Sequence, residues 1–297
     1  MNPKIGIVTV LYNSETVLNE FFASLNEQSF QNFILYVIDN KSPDNSLALS
    51  RKLAETSSFK TVVIANEENS GVAKGNNIGI VKAMEDNCDM ILLSNNDVTL
   101  ESNTIETLLE GMESQKTNMV VPKIYFYGTN KIWTAGGRFI KHRGCVMHTG
   151  SLEVDYGQYN KRRSIGYAPT CFMLIKKEVF NKVGLMDEKY FVYWDDTDFV
   201  YRAIKQKESL WYIPESLVHH NESTSTGKLS KFKIYYMCRN LIYFSRKNYS
   251  FFYGSYVIIF NMSEHFFKHI FKWKFSLWKE GVRGFIDGFK LSLKRNQ

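Results

Sequence analysis

The chain has 297 residues, 44% of them hydrophobic, with 37 Lys and Arg against 30 Asp and Glu and a formal net charge of +7. That apolar content is enough to bury a sizeable core, which excludes a disordered chain. Its four cysteines, Cys88, Cys145, Cys171 and Cys238, stand far apart without a CxxC pair; this excludes a disulfide framework or zinc ribbon and predicts free thiols.

Residues 1–4 lead straight into an apolar stretch at Ile5, leaving no room for a secretion leader, so the expected location is cytoplasmic. Four short runs rich in Ile and Val, Ile5–Leu11, Phe33–Asp39, 61–64 and Met90–Ser94, predict buried parallel strands. Between the first two, Val17, Leu18, Phe21, Phe22 and Leu25 recur at helical spacing, and 47–53 and 78–84 also predict helices. Strand alternating with helix predicts an α/β fold with a Rossmann-like first half and a mostly parallel central sheet, whose ligand crevice lies at the carboxyl ends of the strands. The turn Leu11-Tyr12-Asn13-Ser14 has no glycine, which excludes the GxGxxG turn of a dinucleotide dehydrogenase. Asp39, at the tip of the second strand, can accept hydrogen bonds from a base or ribose, or cap the turn that follows. The polar loop Asn69-Ser70-Gly71-Val72-Ala73-Lys74-Gly75-Asn76-Asn77 opens a helix, and the fourth strand closes in Asn95-Asn96-Asp97.

In order and spacing these pieces resemble the family 2 glycosyltransferases with the GT-A fold. The resemblance implies that Thr9, Tyr12, Asn13 and Asp39 hold the nucleoside of a nucleotide-sugar donor, with Asn69, Gly71, Lys74, Asn77 and Asn96 nearby. It also implies that Asp97 binds a divalent cation, Mg²⁺ or Mn²⁺, through the donor's diphosphate. The family's first acid at this motif is Asn95 in this chain. An amide oxygen is a weaker, neutral ligand, so the cation is expected to arrive largely with the diphosphate.

Residues 133–150, with Trp133, Gly136, Gly137 and His148, read as a loop-rich stretch, and the family places acceptor contacts there, carried here to Gly136 and Gly137. Gly166-Tyr167-Ala168-Pro169-Thr170-Cys171 then leads into a predicted strand at 172–175 and a helix beginning near Lys177. In Trp194-Asp195-Asp196-Thr197-Asp198, three carboxylates crowd into four residues. Such crowding is costly unless a cation or hydrogen bonds compensate it, and it marks a site. The Trp-Asp-Asp form is similar to that of galactofuranosyltransferases, which implies Asp196 as general base, Asp195 as second choice and Trp194 on the acceptor side. Asp198 is expected to cap the helix running through Arg202. Farther on, an apolar strand ends in His219-His220 before a Ser/Thr run, and the resemblance carries a cation ligand to His220. Arg239 is expected to contact donor phosphates or to lock its helix.

After residue 245 there are ten Lys and Arg against three Asp and Glu, and before it 27 of each. The expected division is therefore a catalytic domain at 1–245, its halves meeting near 100, and a basic tail at 246–297. Phe267, Phe271, Phe275, Trp278, Val282, Phe285, Phe289 and Leu293 predict one amphipathic helix, or two broken near 281–284. The apolar run 251–260 is too short to span a bilayer, which takes about 20 residues. A basic tail rich in Phe and Trp fits the surface of an anionic membrane, or packing on the body or on a second subunit; without a nucleic-acid motif, no DNA or RNA partner is expected. The function expected is inverting transfer of a sugar, rhamnose from a dTDP donor foremost, to a glycan or lipid-linked glycan. The alternatives are a UDP-sugar transferase of the same fold, using galactofuranose or an N-acetylhexosamine, and a non-catalytic nucleotide-sugar-binding protein.

Overall fold

The computed structural model describes residues 2–221, 230–270 and 274–293. Strands β1 (Ile5–Leu11), β2 (Phe33–Asp39) and β4 (Met90–Ser94) have the expected bounds, and β3 (Lys60–Ala65) is one residue longer at each end. Helices α1 (Leu18–Asn26), α2 (Ser46–Thr56) and α3 (Gly71–Glu85) connect them. α1 buries Leu18, Phe21, Phe22 and Leu25, an i, i+3, i+4, i+7 stripe, in the core on one sheet face. On the other face α3 lies so close to β1 that a Cβ on Gly79 would stand 2.3 Å from the Val8 side chain.

The second half adds β5 (Val98–Leu100), α4 (Thr104–Ser114), β6 (Met119–Phe126), β7 (Ile132–Thr134), β8 (Gly137–Ile140), β9 (Cys145–His148) and β10 (Arg163–Ser164). β11 (Phe172–Lys176), α5 (Lys177–Val183), α6 (Asp195–Lys205) and β12 (Leu210–His220) follow. The sheet runs in the order β10-β12-β6-β11-β4-β1-β2-β3, with β5 on β12 and β7 on β6. β1 through β4 are mutually parallel, β6 and β12 are parallel, and β11 is reversed between β4 and β6. Because β2 and β3 lie on one side of β1 and β4 on the other, the order reverses beside β1, and the crevice opens there at the carboxyl ends. Asn96 spans it, donating to the Val10 carbonyl at 2.7 Å.

The tail forms α7 (Lys231–Asn248), α8 (Phe251–Ile270) and α9 (Phe275–Lys290). α7 runs through the expected boundary at 245, so the body and the tail share a helix. The expected break near 281–284 is absent: these residues lie inside α9. The glycines there serve contact, since a Cβ on Gly284 or Gly288 would come within 2.4 Å of the Tyr235 or Arg239 carbonyl on α7. Phe271 and the Ser/Thr run at 223–225 lie outside the described residues. Among the described residues no helix is long and apolar enough to cross a membrane.

Candidate active site

Toward the carboxyl ends of β1 and β2, the Thr9 hydroxyl and the Asp39 Oδ1 are buried without a partner, whereas Asp39 Oδ2 accepts the Ser42 N–H at 3.2 Å. A buried polar atom left unpaired costs about 1–3 kcal/mol, so two of them on one sheet face mark a place for a ligand with complementary groups. Tyr12 stands half exposed beside them, and Asn13, in the left-handed region at φ 57°, donates its N–H to Ser42. Asn69 folds back to accept the Gly71 N–H at 3.1 Å, and Lys74 stands half-buried in the first turn of α3.

Two expected donor contacts are used otherwise. The Asn77 side chain donates to the Met186 carbonyl and Glu188 and accepts the Met186 N–H, all at 3.0 Å, so its groups are spent on the loop before the acids. Gly71, at φ 84°, lies under Phe191, whose carbonyl accepts the Val72 N–H at 2.6 Å and would be 2.4 Å from any Cβ at 71. Both residues clip α3 to the catalytic loop because α3 must lie flush against it, a demand that spacing along the chain does not display.

The loop between Tyr190 and α6 is strained. Phe191, Tyr193 and Trp194 all have positive φ, and the Val192 N–H closes a γ-turn onto the Tyr190 carbonyl at 2.6 Å. Asn240, fully buried on α7, holds this turn by donating to the carbonyls of Tyr190, Val192 and Tyr193 at 2.8–2.9 Å. Arg239 donates to the Lys189 and Tyr190 carbonyls and to Asn240, so of its two expected roles the locking one is displayed. Trp194 is buried against Phe244, its indole N–H unpartnered.

Helix α6 begins at Asp195, so Asp198 does not cap it. The Asp198 carboxylate is fully buried and meets Arg202 at 2.7 Å, Lys247 at 2.9 Å, Asn248 at 2.8 Å and the Tyr190 hydroxyl at 3.2 Å, tying α6 to α7. Asp195 is buried, and burial together with the Asp196 charge pushes its carboxyl up to about 7. Asp196 is half-buried and reachable, accepting the Tyr167 hydroxyl at 2.8 Å. Accessibility therefore favours Asp196 over Asp195 as the group that meets an acceptor.

The raised Asp195 carboxyl has a consequence for stability. As pH rises from about 4 to about 7, the unfolded chain gives up this proton while the folded one keeps it, so the group lowers stability over that window. Asp195→Asn is expected to raise the melting temperature at pH 8 by more than at pH 4, as read in thermal melts across pH. A pH-independent change would contradict this origin.

The Asp97–His220 pair and the acid pair both lie near Cys171, at the start of β11. His220 Nε2 lies 3.1 Å from Asp97 Oδ1, and His220 Nδ1 is buried without a partner. The carboxylate suits Mn²⁺ or Mg²⁺, and a neighbouring imidazole favours the transition metal of the two. Among the described residues no third His, Cys, Asp or Glu joins them, so a bound diphosphate would have to complete the shell. The Asn95 N–H donates to the Cys171 carbonyl at 2.7 Å, placing the 95–97 turn beside the start of β11. The buried Cys171 thiol is held well above its usual range first by desolvation and then by the charges of Asp97 and Asp196. A run of ring contacts makes the same link: His220 on Trp133 at 4.6 Å, Trp133 on His148 at 5.1 Å, and His148 on Tyr167 at 5.9 Å. Gly136 and Gly137 are buried at the root of this wall, where Cβ atoms would strike Ile165 and the Met147 carbonyl, so the backbone packs closely there. Tyr167 and Cys171 were not legible as site residues, since each acts through a partner distant in sequence, whereas Asn240 stood out beside Arg239.

Comparison with known proteins identifies the family and the fold. The model of the family described as Glycosyl transferase family 2 matches residues 6–184. The dTDP-rhamnosyl transferase RfbF of Shigella flexneri is 27% identical over 262 residues, covering 84% of this chain and 82% of its own. Among solved structures, S. aureus TarS (residues 1–349, with UDP-GlcNAc) superposes with a TM-score of 0.59 at 16% identity, over 96% of this chain and 81% of its own. The mannosyltransferase PcManGT of Pyrobaculum calidifontis, with GDP-Man and Mn²⁺, gives a TM-score of 0.58 at 11% identity, over 98% and 76%. With a family model that spans more than half of its length and a GT-A architecture around the crevice, the chain belongs to the family 2 glycosyltransferases.

Proposed function

We propose that the chain is an inverting, cation-dependent transferase that moves a sugar from a nucleotide donor, dTDP-rhamnose foremost, to a hydroxyl of a growing, lipid-linked cell-surface glycan. The observation that supports this reading is that Asp97, paired with His220, and Asp196 both lie close enough to the buried Cys171 thiol for their charges to act on it. Asp196 takes the acceptor hydroxyl's proton as that oxygen bonds to the anomeric carbon. The bond from that carbon to the diphosphate breaks on the opposite face, its electron pair leaving with the phosphate, and a single displacement inverts the centre. When bound at Asp97 and His220, the cation neutralises charge on the leaving diphosphate. Thr9 and Asp39 face the base or ribose with their unpaired atoms.

The rhamnose donor is supported by the RfbF relative, and a UDP-sugar is the second reading, supported by the Trp194-Asp195-Asp196 form. In a thermal-shift panel of dTDP-, UDP- and GDP-sugars, dTDP-rhamnose with Mn²⁺ should give the largest rise, about 2.7 kcal/mol of apparent stability at a hundredfold excess over Kd. A larger rise with a UDP-sugar would overturn the donor, and an equal rise in EDTA the cation.

We also propose that α8 rests on an anionic membrane. Phe252, Tyr256, Ile259 and Phe266 form one exposed stripe beside Phe251, and Lys268, Lys274 and Lys279 are exposed nearby. Each aromatic side chain taken into lipid contributes roughly 1.5–3 kcal/mol, and each nearby lysine about 1 kcal/mol. A homodimer through this face would bring two basic tails together, which like-charge repulsion opposes. Sedimentation with phosphatidylserine vesicles that persists after Phe252→Ser and Ile259→Ser would exclude α8 as the contact.

A further inference from the structure

We propose that Tyr167 is a positioning residue for the transfer: its phenol fixes the Asp196 carboxylate so that one lone pair of Oδ2 remains to take the acceptor's proton. The inference rests on the reading of Asp196 as general base. Asp196 Oδ1 is already occupied, accepting the Thr197 N–H at 2.6 Å and the Thr197 hydroxyl at 3.1 Å. Oδ2 accepts the Tyr167 hydroxyl at 2.8 Å, and a carboxylate oxygen has two lone pairs, so one is left there. The proton that leaves the acceptor oxygen therefore goes to Oδ2.

Tyr167 is built to hold still. It is only 2% exposed, and its ring sits between the edges of Phe139 at 5.7 Å and His148 at 5.9 Å. Its N–H donates to the Gly137 carbonyl at 3.0 Å, tying it to the β8–β9 hairpin that forms the acceptor side. A Cβ on Gly137 would come within 3.1 Å of the ring, so this position is shaped around the tyrosine. Burial first, and then the Asp196 charge, keep the phenol protonated far above neutral pH, so it remains a donor throughout. Asp196, half-buried at the start of a helix, has no comparably rigid partner on this oxygen; without the phenol its carboxylate can turn toward water. Among the described residues the charged or titratable groups beside this pair are Asp195 on α6, Cys171 at the start of β11 with Asp97 beyond it, and His148 on β9.

The test is Tyr167→Phe in the full-length enzyme, assayed at saturating donor with varied acceptor. We expect kcat to fall about 10- to 100-fold, the scale of a small misplacement of a reacting group, with donor KM and melting temperature unchanged. The acid limb of the kcat profile should move up by about one pH unit, because a hydrogen bond that favours the charged carboxylate has been lost. Difluorotyrosine at 167, a stronger donor of the same shape, should move that limb down. Wild-type kcat and an unmoved limb in Tyr167→Phe would overturn the inference while leaving the base assignment intact. A loss of donor affinity or stability that accounts for the whole drop would overturn it too, by making the residue structural. Persistent turnover in Asp196→Asn would instead sink the reading on which it rests.

Discussion

Asp196→Asn should lower kcat by about 10²–10⁴-fold while leaving donor affinity unchanged, the range by which a positioned base accelerates proton transfer. The amide keeps the shape of the side chain, its oxygen accepting from Thr197 and its NH2 donating to the Tyr167 oxygen, so the fold and the donor pocket around Thr9 and Asp39 have no reason to change. What disappears is the lone pair basic enough to take the acceptor's proton. The neighbouring Asp195 cannot substitute, because it is buried beneath the surface that an acceptor can touch. Steady-state kinetics with calorimetric donor titration separate the two effects. Unchanged turnover would remove Asp196 from the chemistry, and a parallel loss of donor binding would move it to the donor side.

Asp97→Ala should lower kcat/KM by roughly 10²–10³-fold, equivalent to about 2.7–4 kcal/mol, and abolish the Mn²⁺-dependent part of donor binding. The reason is the sparse protein contribution to the cation: with Asn95 in place of the family's first acid, only Asp97 and His220 among the described residues stand ready. Removing one leaves a single imidazole, while the buried unpaired Nδ1 of His220 is not relieved by the change. Asp97→Asn should fall between wild type and alanine, since an amide oxygen can coordinate but carries no charge. Titrating Mn²⁺ against initial rate checks this, and a wild-type Mn²⁺ response in Asp97→Ala would place the cation elsewhere.

Much of the fold could be read from residue pattern. The apolar runs of β1, β2 and β4 are buried through to their ends, so hydrophobicity marks their limits, and α1 shows its stripe because one face alone meets the core. The carboxylates Asp97, Asp195 and Asp196 stood out because acids at strand ends and helix starts are conspicuous in an apolar context. Less legible were residues whose work is to hold backbone. Asn77 and Gly71 sit in a loop whose polarity suggests ligand contact, yet they serve the turn at 186–191, more than a hundred positions away. Asp198 looked like a cap because caps are local, whereas its partner Lys247 comes from α7. Of the two forms the tail pattern allowed, the break near 281–284 is not the one found: in α9 the glycines let two helices approach, which depends on a partner that periodicity does not reveal.

The most direct measurement is a crystal structure of the Asp196→Asn variant with a nucleotide-sugar donor and Mn²⁺. The expected result is a diphosphate held at Asp97 and His220, with the anomeric carbon open toward residue 196 on the face away from the leaving group. A diphosphate bound away from Asp97, or an anomeric carbon shielded from residue 196 by its own phosphate, would contradict in-line transfer across this cleft.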